Sequence, residues 1–249
     1  MTLASIMMVT YNRLELTKQT LDDLFETTDY PFNLVLIDND SKDGTVEYLK
    51  TFCEEKLAAG HPFFKGYKLQ PNAKNEGIAI GRNQALLLAD GDWLVTLDND
   101  VKVPKGWLSE AIDIMTKMPI YGMIGVNMEN TPYPLVSLAG KEFQRKPQGN
   151  LGTACIVFNK NFHKMLGFFN TEYGLYGEED ADMGMRARVV GYQLGYIKES
   201  GKHLGEGALD VGEYREFKTE SHRKNLAKFN ENCRLYAAGK KPIYIPFKQ

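Results

Sequence analysis

The chain is short of cysteine, of net charge and of long apolar runs, and each shortage excludes something. Only three cysteines, Cys53, Cys155 and Cys233, occur in 249 residues. They lie far apart, form no CxxC pair and are odd in number, which argues against a disulfide framework and against a thiolate zinc site. A reducing compartment, the cytoplasm, is the expected location. Thirty basic against 32 acidic side chains leave a formal charge of −2, so no global field draws the chain to nucleic acid or anionic lipid. No apolar run approaches the ~20 residues that crossing a bilayer takes. The most apolar N-terminal stretch, Leu3 to Val9, is too short for a signal-peptide core and reads as a buried strand.

What is present is ordinary for a folded protein: 43% apolar and 25% charged residues, a balance that excludes a disordered or fibrous chain. Short apolar runs alternate with helical patterns through the first half. Strands are expected at Ser5–Val9, Leu34–Ile37, Tyr67–Gln70 and Trp93–Leu97, and helices at Leu16–Phe25, Thr45–Leu57 and Ala79–Ala89. This βαβ rhythm predicts an α/β fold, a Rossmann-like domain with a mostly parallel central sheet and helices on both faces. Beyond Asp100 loops carry more of the chain. A helix is expected around Trp107–Met118, strands at Tyr121–Val126, Val136–Ala139, Leu151–Phe158 and Tyr192–Ile197, and a helix with an acidic entrance over Gly177–Val190. No composition break marks a linker. One domain is predicted over about residues 1–210, its halves meeting near residue 100, followed by a charged helical tail, 211–249, packed on or flanking it. The tail reads either as a solvated helix face or as a lid or arm over a cleft.

Carboxylates gather where a parallel sheet presents its ligands. Asp38 and Asp40 follow the second strand at its carboxyl end, beyond which ligands bind in open α/β sheets; turn and cap chemistry would use the same residues. Asp98 and Asp100 follow Trp93–Leu97 in the same way. Two residues apart on extended chain they share a side and suit one divalent cation, Mg2+ or Mn2+ rather than zinc, with the diphosphate it neutralises; a plain turn is the alternative. Glu178, Glu179, Asp180 and Asp182 crowd a helix start, more than capping needs, and repulsion should raise at least one pKa there. His203, beside Leu204-Gly205-Glu206-Gly207, is either structural or a third cation ligand. Trp93 and Trp107 serve as core or as sugar platforms.

These clusters, in this order, resemble the inverting nucleotide-sugar glycosyltransferases of the family 2 type, which have the GT-A fold. The resemblance runs from Ser5 to Gly207. It rests on Ile6–Arg13 with its TYNR loop, on Ile37-Asp38-Asn39-Asp40-Ser41-Lys42-Asp43-Gly44-Thr45, on Asn75-Glu76-Gly77-Ile78-Ala79-Ile80-Gly81-Arg82-Asn83, on Asp98-Asn99-Asp100, and on Gly177–Asp182 with Arg186 and Gly191-Tyr192. It implies a nucleotide-binding half and an acceptor-binding half. Thr10, Tyr11, Arg13 and Asp38 would hold the nucleoside, with Asp38 close to the base. Asp40, Asn75 and Gly77 would belong to the same nucleotide site, and Arg82 would approach the diphosphate. Asp98 would contact ribose or the metal shell, Asp100 would bind Mn2+ or Mg2+, and His203 would complete the metal site. Asp180 would be the general base, with Glu179 and then Asp182 as alternates one and two positions away.

The implied reaction is transfer of a sugar from a nucleoside-diphosphate sugar, most simply UDP-linked, to a hydroxyl of a glycan, a lipid-linked or another acceptor, with peripheral membrane contact through that acceptor. A retaining transferase on the same fold and a non-catalytic nucleotide-sugar or glycan-binding module stay open. A nucleotidyltransferase is disfavoured, because no Gly-rich phosphate loop follows the first strand. A nucleic-acid acceptor would need a local basic face, at Lys141, Arg145 and Lys146 or at Arg223–Lys228.

Overall fold

The computed structural model describes residues 2–129, 131–152, 154–205 and 213–247. In chain order the elements are β1 (Ala4–Thr10), α1 (Leu14–Thr27), β2 (Phe32–Asp38), α2 (Thr45–Ala58), β3 (Phe64–Pro71), α3 (Ile78–Leu88), β4 (Trp93–Leu97), β5 (Val101–Lys102), α4 (Trp107–Lys117), β6 (Tyr121–Asn127), β7 (Leu135–Leu138), β8 (Lys141–Lys146), β9 (Cys155–Asn159), α5 (Lys160–Leu166), α6 (Glu179–Val189), β10 (Gln193–Ser200), β11 (Lys202–His203) and α7 (Glu213–Ala237).

Strand alternation divides the core between the two sheet faces. Ile6 and Met8 of β1 and Leu34 and Leu36 of β2 point to one face, where they meet Leu21, Leu24 and Phe25 of α1, Leu49 of α2 and Leu108 of α4. Their neighbours Met7, Val35 and Ile37 point to the other, against Ala79 and Leu86 of α3, Phe162 and Leu166 of α5, and Met183 and Ala187 of α6. Side chains of successive strand residues leave opposite faces, so a run such as Leu34–Ile37 that is apolar throughout has to be covered on both sides, as here. The sheet order is β3-β2-β1-β4-β9-β6-β10-β8-β7. Strands β3, β2, β1 and β4 are parallel, β9 enters antiparallel between β4 and β6, and β8 opposes β10. The sheet is thus mostly parallel with two reversed strands.

Several expectations are adjusted. The strand expected from Leu151 begins at Cys155, and β8 and α5 were not foreseen. Both lack a clean period: β8 reads Lys-Glu-Phe-Gln-Arg-Lys, with only Phe143 and Gln144 buried. Trp107 is fully buried, its indole N–H donating to Thr28 Oγ1 at 3.2 Å, and Trp93 packs against the core, so neither is a sugar platform. Within the candidate basic faces, Lys141 pairs with Asp113 and Arg223 with Glu220, each at 2.8 Å.

The chain after α7 returns to the middle of the molecule. Ile245 N–H donates to the Leu166 carbonyl, Phe168 N–H donates to that of Ile245, and the Ile245 carbonyl fills the space that a side chain at Gly167 would need. Arg186, wholly buried, ties this strap in: it donates to the carbonyls of Leu166, Phe168 and Ile243. No helix among the described residues is long and apolar enough to cross a membrane.

Candidate active site

The carboxyl ends of β1, β2 and β4 open onto one cleft of about 660 Å³, within the size range of small-ligand sites. Asp38 and its neighbours build the loops at its floor. Asp38 is fully buried and accepts from Thr10 Oγ1 at 2.8 Å and from the backbone N–H and hydroxyl of Ser41 at 2.8 and 2.6 Å. Ser41 Oγ in turn accepts from Asn12 N–H, and Asn12 Oδ1 from Lys42 N–H. This lattice holds Asn12 and Arg13 in the left-handed region, φ 53° and 62°, a conformation that costs a non-glycine residue energy and persists where surroundings over-determine it. Asp38 itself is not on the cleft wall, and Asp40 pairs with Lys42 outside it. Thr10, Tyr11 and Arg13 are on the wall, with the Tyr11 ring 44% exposed at the rim.

Asn75 and Gly77 line the neighbouring wall. Asn75 Oδ1 accepts from Gly77 N–H at 2.9 Å. Gly77 sits at φ 88°, and a Cβ there would fall 2.7 Å from Leu175 Cα. Only glycine lets the start of α3 close against Leu175 in this way.

Arg82 reaches across the cleft. Its guanidinium, 4% exposed, donates to Asp98 Oδ1 at 2.9 Å and to Glu179 Oε1 at 2.7 Å. It therefore joins the end of β4 to the start of α6. Burial pushes the Asp98 carboxyl up, against the pull of Arg82. Asp98 directly follows β4 and Asp100 lies in the turn that begins at Asn99, rather than both on the extended chain expected.

Asp100 faces a different set. Its Oδ2 accepts from Arg13 Nη1 at 3.0 Å, and its Oδ1 lies 3.7 Å from His203 Nδ1. His203 is delivered by a short antiparallel pairing, His203 opposite Val101, and not by a loop. Burial would raise the Asp100 carboxyl, but His203, Arg13 and Lys218 together hold it below its usual range. The carboxylate and the imidazole are close enough that both could turn to one divalent cation, the carboxylate being the donor that suits Mn2+ or Mg2+. Among the described residues no third His, Cys, Asp or Glu completes a metal cage, so the remaining ligands would come from a bound diphosphate and water, as is usual for these cations. Glu206 and Gly207 lie outside the described residues.

Glu178, at φ 70°, turns the chain into α6. Asp180 follows in the first helical turn, lines the cleft, and accepts from Ala181 N–H, where the helix dipole favours a negative charge. Glu179 is 5% exposed, and its Oε2 has no hydrogen-bond partner among the described residues. Burial first, then Asp180, raises its pKa from 4.5 to about 7, outweighing Arg82. Asp182, the second alternate for the base, does not line the cleft. It is fully buried and serves Arg186, Tyr173 and Tyr236.

The Glu179 shift has a sign that can be checked. A carboxyl whose proton is held more tightly in the folded chain lends stability that is complete below its unfolded pKa and is lost as pH climbs through the folded one. Stability is expected to fall between about pH 4.5 and 7 from this group. Glu179→Gln keeps an oxygen for Arg82 and should flatten that slope in urea unfolding followed against pH. An unchanged slope would assign the titration elsewhere.

The tail helix supplies a further wall, through residues that the sequence reading had not singled out. Phe217, Lys218 and His222 line the cleft, and His222 Nδ1 lies 2.7 Å from Glu178 Oε1. Asn225 donates to the carbonyls of Tyr173 and Tyr176, Asn232 to the Tyr173 hydroxyl, and Tyr236 to Asp182. Residues 218, 222, 225, 232 and 236 follow helical spacing along one face. The two buried asparagines among charged neighbours were the available signal.

Residues 5–171 match the family model for Glycosyl transferase family 2. An uncharacterized glycosyltransferase YfnE of Bacillus subtilis (strain 168) is 35% identical over 111 residues, 44% of this chain and 26% of that protein. The chondroitin synthase of Pasteurella multocida (strain Pm70) is 25% identical over 229 residues, covering 75% of this chain and 23% of the synthase. The chain thus spans about a quarter of the length of these curated relatives. Among solved structures, the mannosyltransferase PcManGT of Pyrobaculum calidifontis, in complex with GDP-Man and Mn2+, superimposes with a TM-score of 0.66 at 19% identity, covering 94% of this chain and 68% of the other.

Proposed function

The chain belongs to glycosyl transferase family 2, and on that premise we propose that it moves a sugar, with inversion, from a nucleoside-diphosphate sugar to an acceptor hydroxyl, with Asp180 as general base. The observation that carries this reading is the pairing of two chemistries in one cleft: Asp180 on the α6 wall, and Asp100 with His203 on the β4 side. In the reaction the acceptor oxygen attacks the anomeric carbon while its proton passes to Asp180. The bond from that carbon to the diphosphate oxygen breaks, and the diphosphate carries away the electron pair. A divalent cation held by Asp100 and His203 would supply Lewis-acid stabilisation of the leaving diphosphate. Thr10, Tyr11, Arg13, Asn75 and Gly77 would seat the nucleotide. Asp38 would act through the loop that it holds, and Asp98 would fix Arg82.

The donor proposed is UDP-linked, and the acceptor a hydroxyl of a glycan or of a lipid-linked or other carrier. Residues 1–210 are taken as the transferase domain and 211–249 as a tail docked on it. Cytoplasmic action fits the three unpaired cysteines.

The test is release of nucleoside diphosphate from a panel of UDP-, GDP- and TDP-sugars in Mn2+, with the anomeric configuration of any product read by NMR. Turnover is expected with one donor class, with the configuration inverted. EDTA should abolish it, and Asp100→Ala should shift the Mn2+ dependence to at least tenfold higher concentration or remove activity. Binding without turnover across all donors and a broad acceptor set would favour a binding module, and a retained configuration would exclude the base mechanism.

A further inference from the structure

We propose that His222 of the tail helix is an acceptor-binding residue, its Nε2 hydrogen-bonding a hydroxyl of a neutral sugar acceptor next to the hydroxyl that is glycosylated. The inference rests on the transferase reading and deepens it.

Glu178 stands at the N-cap of α6, where a side chain usually bonds the first free N–H groups of the helix. It makes no such bond. Its carboxylate, 8% exposed, turns instead to His222, with Oε1 at 2.7 Å from Nδ1, and its backbone is held at φ 70°, a cost that functional sites carry. A carboxylate on one imidazole nitrogen fixes the orientation of the ring and keeps a proton on that nitrogen, so the other nitrogen is left for a ligand. The His222 side chain is 61% exposed and lines the cleft.

The pair stands on the acceptor side. Glu178 precedes Asp180 by two residues, and the charges of the two carboxylates act on each other. The helix behind the ring is fixed: a Cβ on Gly177 would lie 3.9 Å from His222 Cα, and Asn225, one turn on, donates to the carbonyls of Tyr173 and Tyr176. A nitrogen on such a support binds without the cost of being ordered.

A sugar ring suits these two groups. When one hydroxyl meets Asp180, the hydroxyl on the adjoining carbon stands beside it, and it can give or take a hydrogen bond with the ring nitrogen. Glu129 and Asp180 both act on the Tyr196 hydroxyl and line the cleft with Glu178, while Lys218, one turn before His222, acts on Asp100 at the cation end. An acidic group on the acceptor would meet like charge here, which selects against it.

Steady-state kinetics of the full chain separates the outcomes. UDP-, GDP- and TDP-sugars in Mn2+ are offered with the methyl glycosides of glucose, galactose, mannose, N-acetylglucosamine and N-acetylgalactosamine, and then with monodeoxy analogues of the best acceptor. Wild type is compared with His222→Ala and with His222→Phe, which keeps a ring but no nitrogen, and thermal melts verify folding. Both variants should raise the acceptor KM about tenfold, the worth of one hydrogen bond, and change kcat by less than about twofold. One deoxy analogue should carry that penalty in wild type and lose nothing more in the variants, as expected when a substitution and a deletion remove the same contact. An unchanged KM, or a rise equal on every analogue, overturns the assignment to His222 and leaves the transferase reading standing. So does hydrolysis of a donor by wild type with transfer to none of the glycosides. If wild type turns over no donor, with or without a glycoside, both fall together.

Discussion

Asp180→Asn is expected to lower sugar transfer by about two to four orders of magnitude, the range that general-base catalysis supplies, while leaving nucleotide affinity within about twofold. The asparagine keeps the size of the side chain and the bond from Ala181 N–H, which Oδ1 can still accept. What it loses is a place for the acceptor proton. Loss of rate with intact binding is the signature of an interaction made only in the transition state. Glu179→Gln separates the neighbours: its carboxylate is already shared with Arg82 and is 5% exposed, so the loss should be smaller. Full activity in Asp180→Asn together with collapse in Glu179→Gln would move the base by one residue.

Asp182→Ala is expected to cost stability rather than chemistry, about 3–5 kcal/mol by the usual cost of stripping one partner from a buried ion pair. Asp182 Oδ1 accepts from Arg186 Nε at 2.7 Å, and Oδ2 accepts from the hydroxyls of Tyr173 and Tyr236 at 2.8 and 2.9 Å. Both charged side chains have no exposed surface. The alanine would leave a guanidinium inside the protein without its counter-charge and two hydroxyls without their acceptor. Urea unfolding at neutral pH measures the loss. A change below about 1 kcal/mol, the worth of a surface pair, would show that water or a side-chain shift replaces the carboxylate.

These two carboxylates also mark how far the sequence could be read. Position in a βαβ pattern located the strand ends and the clusters after them, because apolar runs and turn residues are local signals. It could not tell Asp180 from Asp182. That difference is made by Tyr236 and Arg186, one of them 54 residues away in the chain. Asp38 shows the same limit. Its place at a strand end was legible, but the hydroxyls of Thr10 and Ser41 turn it inward to shape the loop. His203 was legible as a candidate, yet what sets it beside Asp100 is a two-residue strand pairing too short to leave a period. The tail was least legible, since its charged side chains give a helical pattern with no apolar stripe, and its docked face is written in asparagine, histidine and tyrosine.

The strap formed by Ile243 and Ile245 imposes an order in time. Its contacts at Leu166, Phe168 and Arg186 join that segment to residues made well before it, Arg186 and Ile243 being 57 positions apart. At a synthesis rate of about 5–20 residues per second, a nascent chain holds Arg186 for several seconds before the Ile243 carbonyl exists to receive it. The sheet strands from β1 to β10 can assemble during that interval. The side carrying α5 and α6, with Asp180 at its tip, closes only after Ile243 and Ile245 arrive, so this wall of the cleft sets after the sheet does.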